Sequence, residues 1–561
     1  MGSRDDGVRM QHITLYDTTL RDGTQGEDVS LSVDDKLRVA RALDDFGVDI
    51  IEGGWPGSNP RDGEFFVRAR ELNLRHARLA AFGSTRRAKN RPQEDPNLIA
   101  LLAAETPVVT IFGKSWLLHV HDALHISEQE NLDLIADSVQ FLVSHGHEVI
   151  YDAEHFFDGY ADDPVYAMKT LQAAVQGGAG IVVLCDTNGG SLPDRIVRGV
   201  RNVRETLNLP VGIHTHNDGE LAVANTLAAV SAGAVHVQGT MNGYGERCGN
   251  ANLCSIVPNL QLKLGFHCVD PERLAGLTDL SKYVAELANL SQGKHLPFVG
   301  QSAFAHKGGV HVSAVMKNTA TYEHIDPSVI GNRRRVLVSD LSGRSNVAYK
   351  AQELGIDLEE KSDAAQRIVD EIKMREHDGY HYEDADGSLE LLIKQQMDTR
   401  REFFELGGFR VLIHKESTDT APVSEALVKV RVGSEVEHTA AEGNGPVNAL
   451  DNALRKALDK FYPSLRRMEL DDYKVRVLDG FDGTGAKVRV LITSKDAFSS
   501  WNTVGVSNNI IEASWKALVD SIYYFLMKQS VPEEAAARPA VDEVCVQSLR
   551  QEIPPRSKEV P

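Results

Sequence analysis

A chain of 561 residues, 42% hydrophobic and 25% charged, is too long for a single core, since even barrel domains use only about 250 residues. Its formal net charge of −20 excludes nucleic-acid binding as the main task, which needs clustered Lys and Arg. No apolar run is long enough to span a bilayer, residues 1–10 lack the apolar segment of a signal peptide, and the five cysteines (Cys185, Cys248, Cys254, Cys268, Cys545) form no CxxC pair, which predicts a reducing, cytoplasmic setting.

Residues 11–268 alternate short apolar runs with amphipathic segments. The expected strands are Ile13–Tyr16, Asp49–Glu52, Leu79–Phe82, Val108–Phe112, Glu148–Tyr151, Ile181–Cys185, Val211–His214 and Val235–Gly239. Helix-like stretches such as Ser32–Phe46 and Leu221–Ala232 separate them. Strands alternating with helices imply parallel pairing, and eight such units close a (β/α)8 TIM barrel. An open doubly wound sheet is the alternative, but no Gly-rich dinucleotide fingerprint follows the first strand.

In a barrel the C-terminal strand ends share one mouth. After the first strand come Arg21 and Asp22, either a surface ion pair or a fixed cation for a developing oxyanion beside a hard oxygen ligand. Glu52, after the second, either supports the site from behind or caps a helix. After the fifth, Asp152-Ala153-Glu154-His155 places Glu154 at the rim, where a buried carboxylate would have a raised pKa suited to proton transfer. After the sixth, Thr187 can donate to a carboxylate substrate or simply form a turn. His214 and His216 stand two apart on the seventh strand, so both imidazoles project from one face. That is half of a divalent metal site, unless they are surface histidines. After the eighth, the Gly-rich run Asn242–Asn250 lacks the Lys-Ser/Thr ending of a P-loop; an Asn250 carbonyl closing a metal sphere is the better reading. Asp22, His214, His216 and Asn250 form a mixed N/O set without thiolate, suited to Mg²⁺, Mn²⁺ or an open catalytic Zn²⁺. Open positions would let a 2-keto acid chelate.

Residues 269–402 read as a helical linker, with a helix expected at Asp363–Arg375 and no further strands. Residues 403–530 return to β-alternation at Phe409–His414, Ala426–Val432, Tyr473–Val477 and Lys487–Thr493. Two copies of one βββα plan are expected, an α+β domain that buries one sheet face under its helices and leaves edges for pairing. One leads through Gly443-Asn444-Gly445-Pro446 into helix Val447–Phe461. The other runs through Gly505-Val506-Ser507-Asn508-Asn509 into helix Ile510–Met527. Residues 531–561, rich in Pro and charge, are expected to be a disordered tail.

Together these residues resemble the isopropylmalate, homocitrate and citramalate synthase family, metal-dependent barrel acyltransferases that join acetyl-CoA to a 2-keto acid. Leu20-Arg21-Asp22-Gly23-Thr24-Gln25, with Lys36 at the family's spacing, matches one signature; His214-Thr215-His216-Asn217-Asp218 matches the second. One departure is Gly219-Glu220, where the family usually has glycine at the second position. The resemblance implies a divalent metal ion (Mg, Mn or Zn) on Asp22, His214, His216 and Asn250. It puts the carbonyl-polarising arginine on Arg21, the acid/base glutamate on Glu154 and the substrate-carboxylate threonine on Thr187. Ala305–His311 is similar to the family's catalytic histidine segment, with His306 preferred to His311, and Tyr322–Pro327 to its lid motif, pointing to Tyr322. In the family these linker residues reach the barrel mouth of a neighbouring subunit, which implies a homodimer.

Glu52–Pro60 and Tyr151–Tyr160 are most similar to the branch that uses pyruvate, and the C-terminal domain resembles the family's amino-acid sensor. Isoleucine is the implied effector, with leucine as the alternative. The implied reaction is a Claisen condensation. A base drawn from His306, Tyr322 and Glu154 takes a proton from the acetyl-CoA methyl, the enolate attacks the chelated ketone beside Arg21, and water then hydrolyses the thioester. The same reaction on 2-ketoisovalerate or 2-ketoglutarate remains open. A lyase running in reverse is disfavoured by the sensor-like domain, and a non-catalytic amino-acid sensor by the filled metal and acid/base positions.

Overall fold

In the computed structural model, which describes residues 10–478 and 480–529, eight parallel strands close a barrel. They are β1 (Thr14–Asp17), β2 (Ile50–Gly54), β3 (Arg78–Ser84), β4 (Val108–Lys114), β5 (Glu148–Glu154), β6 (Ile181–Asp186), β7 (Val211–Thr215) and β8 (His236–Gly239). Every expected barrel strand is present. Several run further toward the mouth than their apolar runs suggest; β4 and β5 stay paired out to Lys114 and Glu154, because backbone pairing does not stop where side chains turn polar. The expected tail, 531–561, lies outside the described residues.

Alternation along the strands divides the interior into two layers. Leu15, Ile51, Ala81, Val109, Val182, Ile213 and Val237 face the surrounding helices and form the main core. Tyr16, Ile50, Ala80, Val108, Ile150, Val183 and Cys185 fill the barrel itself. Parallel partners share a face, so the pairs Cys185↔His214 and Tyr16↔Gln238 put His214 and Gln238 inside. Glu52 and Asp152, two residues beyond Ile50 and Ile150, also point inward. The surrounding helices are specified locally. Ser32 and Asp35 make a reciprocal capping box at the start of Val33–Phe46, and Gly47 ends it at φ +100.

The chain divides into two compact units, one running to Ala305 and including Thr319–Arg335, the other made of His306–Asn318 and residues from Val336 onward. The second unit holds two three-stranded antiparallel sheets: Glu405–His414, Val423–Val432 and Glu435–Gly443, then Glu469–Val477, Val488–Lys495 and Ser500–Ser507. Each sheet leads into a helix, Pro446–Leu458 or Ile510–Gln529, which gives the βββα plan twice. Ala426, Val428 and Val430 are buried in one cluster with Leu450, Ala453 and Leu454. Three corrections apply. Gly505 to Ser507 belong to the last strand rather than following it; a Cβ at Gly505 would meet the Ala513 carbonyl at 2.1 Å, so glycine lets the helix lie against the strand. The first of the two helices ends at Leu458 rather than Phe461. Two-residue strands also occur at Ala305–His306 and Arg335–Val336, where the linker was read as strand-free. Among the described residues, no helix is long and apolar enough to cross a membrane.

Candidate active site

The two histidines of the β7 strand end close on a single carboxylate. His214 Nε2 lies 3.4 Å and His216 Nε2 3.9 Å from Asp22 Oδ2, and all three side chains are buried. One ligand atom from each lies within 4.8 Å of the others, close enough for one cation to bridge them. The loop after β8 brings in Asn250, whose backbone bridges to His216 and whose Nδ2 donates to Asp22 Oδ2 at 2.7 Å. That approach requires glycine at 245, because a Cβ there would sit 2.1 Å from Asn250 Oδ1. The loop's glycines thus serve side-chain delivery.

Burial, and then the adjacent His214, pushes His216 down to about 3. Burial lowers His214 as well. Both are neutral near pH 7, the form that binds metal. Burial, the largest single influence, raises Asp22, but Arg21, the two histidines and the Asn250 hydrogen bond together outweigh it and the carboxyl settles at about 2, hence ionised. Asn250 Oδ1 is buried without a hydrogen-bond partner, a costly state unless something else satisfies it. Two imidazoles, a carboxylate and an orphaned amide oxygen fit a divalent cation.

Arg21 is held from three sides. Its Nε donates to Glu52 Oε1 at 2.5 Å, its guanidinium carbon lies 3.6 Å from the centre of the Phe82 ring, and Nη1 is 3.4 Å from Asp22 Oδ1. Glu52 is fully buried and caps no helix. It also accepts from Thr18 Oγ1 and from the Tyr16 hydroxyl, each at 2.5 Å. Burial tends to lower the Arg21 pKa, but Asp22 and Glu52 more than compensate and hold it above its usual value. Beside Arg21 lies a cavity of about 460 Å³ bordered by Thr24, Gln25, Lys36, Trp55 and Asp62. Lys36 is buried there, donating to Asp62 at 2.5 Å and to the Gly53 carbonyl at 3.3 Å.

The other expected residues are placed differently. Glu154 sits at the rim but is only partly buried and ion-paired with Lys114. Thr187 Oγ1 accepts from the His155 amide at 3.0 Å, so its own hydrogen is available to donate. Tyr322 belongs to the barrel's unit and is exposed. His306 and His311 belong to the second unit; His306 is buried in a short strand, and His311 is exposed on helix Gly309–Lys317. Glu220, where the family pattern has glycine, adopts φ +60, a conformation that favours glycine.

Family models match in three blocks: HMGL-like over residues 12–282, homocitrate synthase post-HMGL domain-like over 298–379, and LeuA allosteric (dimerisation) domain over 383–526. A (R)-citramalate synthase from Geobacter sulfurreducens is 57% identical over 92% of this chain and 98% of its own. One from Aquifex aeolicus is 56% identical over the same shares. The chain belongs to the citramalate synthase family. At greater distance, a probable 2-isopropylmalate synthase from Methanopyrus kandleri is 33% identical over 91% of this chain and 97% of its own. The family's enzymes are acyltransferases and metal-dependent, in keeping with the buried triad of Asp22, His214 and His216.

Sequence reasoning missed the layer beneath this triad. Tyr16, Thr110, Asp152 and Gln238 are polar residues within apolar strands, buried and joined to the site by hydrogen bonds. The available signal was spacing: each shares inward parity with an apolar interior residue, and polar side chains at such positions need partners.

Proposed function

We propose that the chain condenses acetyl-CoA with pyruvate and that water then hydrolyses the thioester, giving citramalate and CoA, in isoleucine biosynthesis. The observation that supports this most directly is Arg21, a guanidinium fixed by Glu52 and Phe82 within 3.4 Å of the metal-site carboxylate. A divalent ion held by Asp22, His214, His216 and Asn250 would supply Lewis-acid polarisation of the keto group. Arg21, already oriented, stabilises the alkoxide that forms when the acetyl carbon attacks. Thr187 donates its hydroxyl hydrogen to the pyruvate carboxylate. The methyl proton of acetyl-CoA passes to a base drawn from His306, Tyr322 and Glu154, and Lys114 orients the Glu154 carboxylate. Trp55, Phe82 and Phe112 form an aromatic wall, with Phe82 stacked on Phe112 at 5.5 Å and Trp55 edge-on to both at 5.7 Å. A rigid wall next to Arg21 favours a keto acid as small as pyruvate.

In the same reading the βββα pair, with its match to an allosteric dimerisation domain, pairs two chains into a homodimer and takes isoleucine, or leucine, as feedback effector. The test is release of CoA thiol from acetyl-CoA with pyruvate, 2-ketoisovalerate and 2-ketoglutarate, with and without chelator and each amino acid. Pyruvate should be turned over fastest, chelator should stop the reaction, and isoleucine should slow it. A preference for 2-ketoisovalerate would move the assignment to isopropylmalate synthesis.

A further inference from the structure

A glutamine lies behind the metal triad with both ends of its amide in use. His214 Nδ1 is 2.9 Å from Gln238 Oε1, and Gln238 Nε2 donates to Asp152 Oδ1 at 3.0 Å. Gln238 is completely buried on β8, and Asp152 is buried on β5. The relay therefore crosses the barrel interior. We propose that Gln238 is a positioning residue that fixes the tautomer and ring orientation of His214 for metal binding.

The argument rests on donors and acceptors. An amide oxygen only accepts and an amide nitrogen only donates. Whatever the protonation state of Asp152, its Oδ1 keeps a lone pair for the Gln238 N–H. With Nε2 committed to Asp152, Oε1 faces His214, so Nδ1 must carry the hydrogen. The His214 Nε2 lone pair is then left pointing toward Asp22, 3.4 Å away. The other tautomer would leave Gln238 Oε1 buried without a donor and aim an N–H at the cation. His216 has no such support, since its Nδ1 is buried without a hydrogen-bond partner. The orientation of the pair is thus set through one histidine. Outer partners of this kind typically change metal affinity by about 10–100-fold.

This inference rests on the metal reading above, and the test separates the two. Mn²⁺ binding to the full chain would be measured by isothermal titration calorimetry for the parent, Gln238→Leu, Gln238→Met and Gln238→Glu. Leu and Met are apolar side chains of similar volume, so the test stays readable if one variant does not fold. The expected result is tight binding by the parent, binding weakened by about 10–100-fold in the apolar variants, and recovery to within a few-fold in Gln238→Glu. That variant restores an acceptor for Nδ1–H while its second oxygen accepts from the Asp152 carboxyl, whose proton burial favours. Apolar variants that bind like the parent, or a Glu variant as weak as they are, would overturn the role of Gln238. A parent that binds no Mn²⁺ would overturn the metal reading and this role with it.

Discussion

Arg21 shows how much one side chain is asked to do at the mouth. Its Nε bonds Glu52, its plane stacks on Phe82, and its terminal nitrogen faces Asp22. Lysine could reproduce only one of these contacts at a time, because an ammonium has neither a fork nor a flat face. Arg21→Lys should therefore lower kcat by about 10²–10³-fold, the value of one fixed oxyanion donor, while circular dichroism and the melting temperature stay near those of the parent. Near-normal turnover would remove Arg21 from the chemistry. Arg21, Asp22, His214 and His216 were legible because each follows an apolar run, where a strand end exposes whatever comes next. Gln238 and Asp152 were not, since a polar residue inside a strand carries no mark of which layer it joins. Glu52 stood out, yet its three hydrogen bonds depend on Tyr16, Thr18 and Arg21, partners that pattern alone could not supply.

At the scale of the element, the loop after β8 decides whether the site is complete. Gly245 has φ +159, and a Cβ there would press to within 2.1 Å of Asn250 Oδ1. Gly245→Ala should displace Asn250 and weaken Mn²⁺ binding by about tenfold or more. The melting temperature should fall as well, because the same loop packs Met241 and Tyr244 onto the main core. Calorimetry paired with thermal melts checks both parts, and unchanged Mn²⁺ affinity would show that Asn250 is not held by this glycine. The loop's purpose was hard to read from sequence, because a glycine run marks close approach without saying what approaches. Strand ends were blurred for a related reason. The last residues of β5, Asp152 to Glu154, keep their ladder bonds to β4 although two of the three are acidic.

For the molecule as a whole, the second unit hides a charge that the barrel chemistry does not use. Asp520, on helix Ile510–Gln529, accepts a hydrogen bond from Ser388 Oγ at 2.8 Å, and burial pushes its carboxyl up from 3.8 to about 6. A carboxyl that binds its proton more tightly when folded contributes most below its unfolded pKa, and that contribution is lost as pH rises toward 6. Asp520→Asn keeps an acceptor for Ser388 and removes the partly buried charge. It should stabilise the protein by up to about 3 kcal/mol near pH 7, with the advantage shrinking toward pH 4. Thermal melts from pH 4 to 8 would show this, and an advantage independent of pH would rule out the carboxyl as its source. The doubled βββα plan was legible from two glycine-bearing segments, each leading into a long amphipathic helix. The third strand of each copy went undelimited. Glu435–Gly443 alternates charged and small residues over a half-exposed face, too weak a pattern to mark its ends.

The ring of strands is sealed where β1 pairs with β8, in the register Thr14↔His236 through Asp17↔Gly239. Asp22 leaves one side of that seam and Asn250 the other, and their side chains meet across 228 positions of chain. No fragment short of the whole barrel brings these side chains together. On the metal reading proposed above, capture of a cation would wait for closure during refolding and opening of the seam would release it, so a retained cation would report an intact ring.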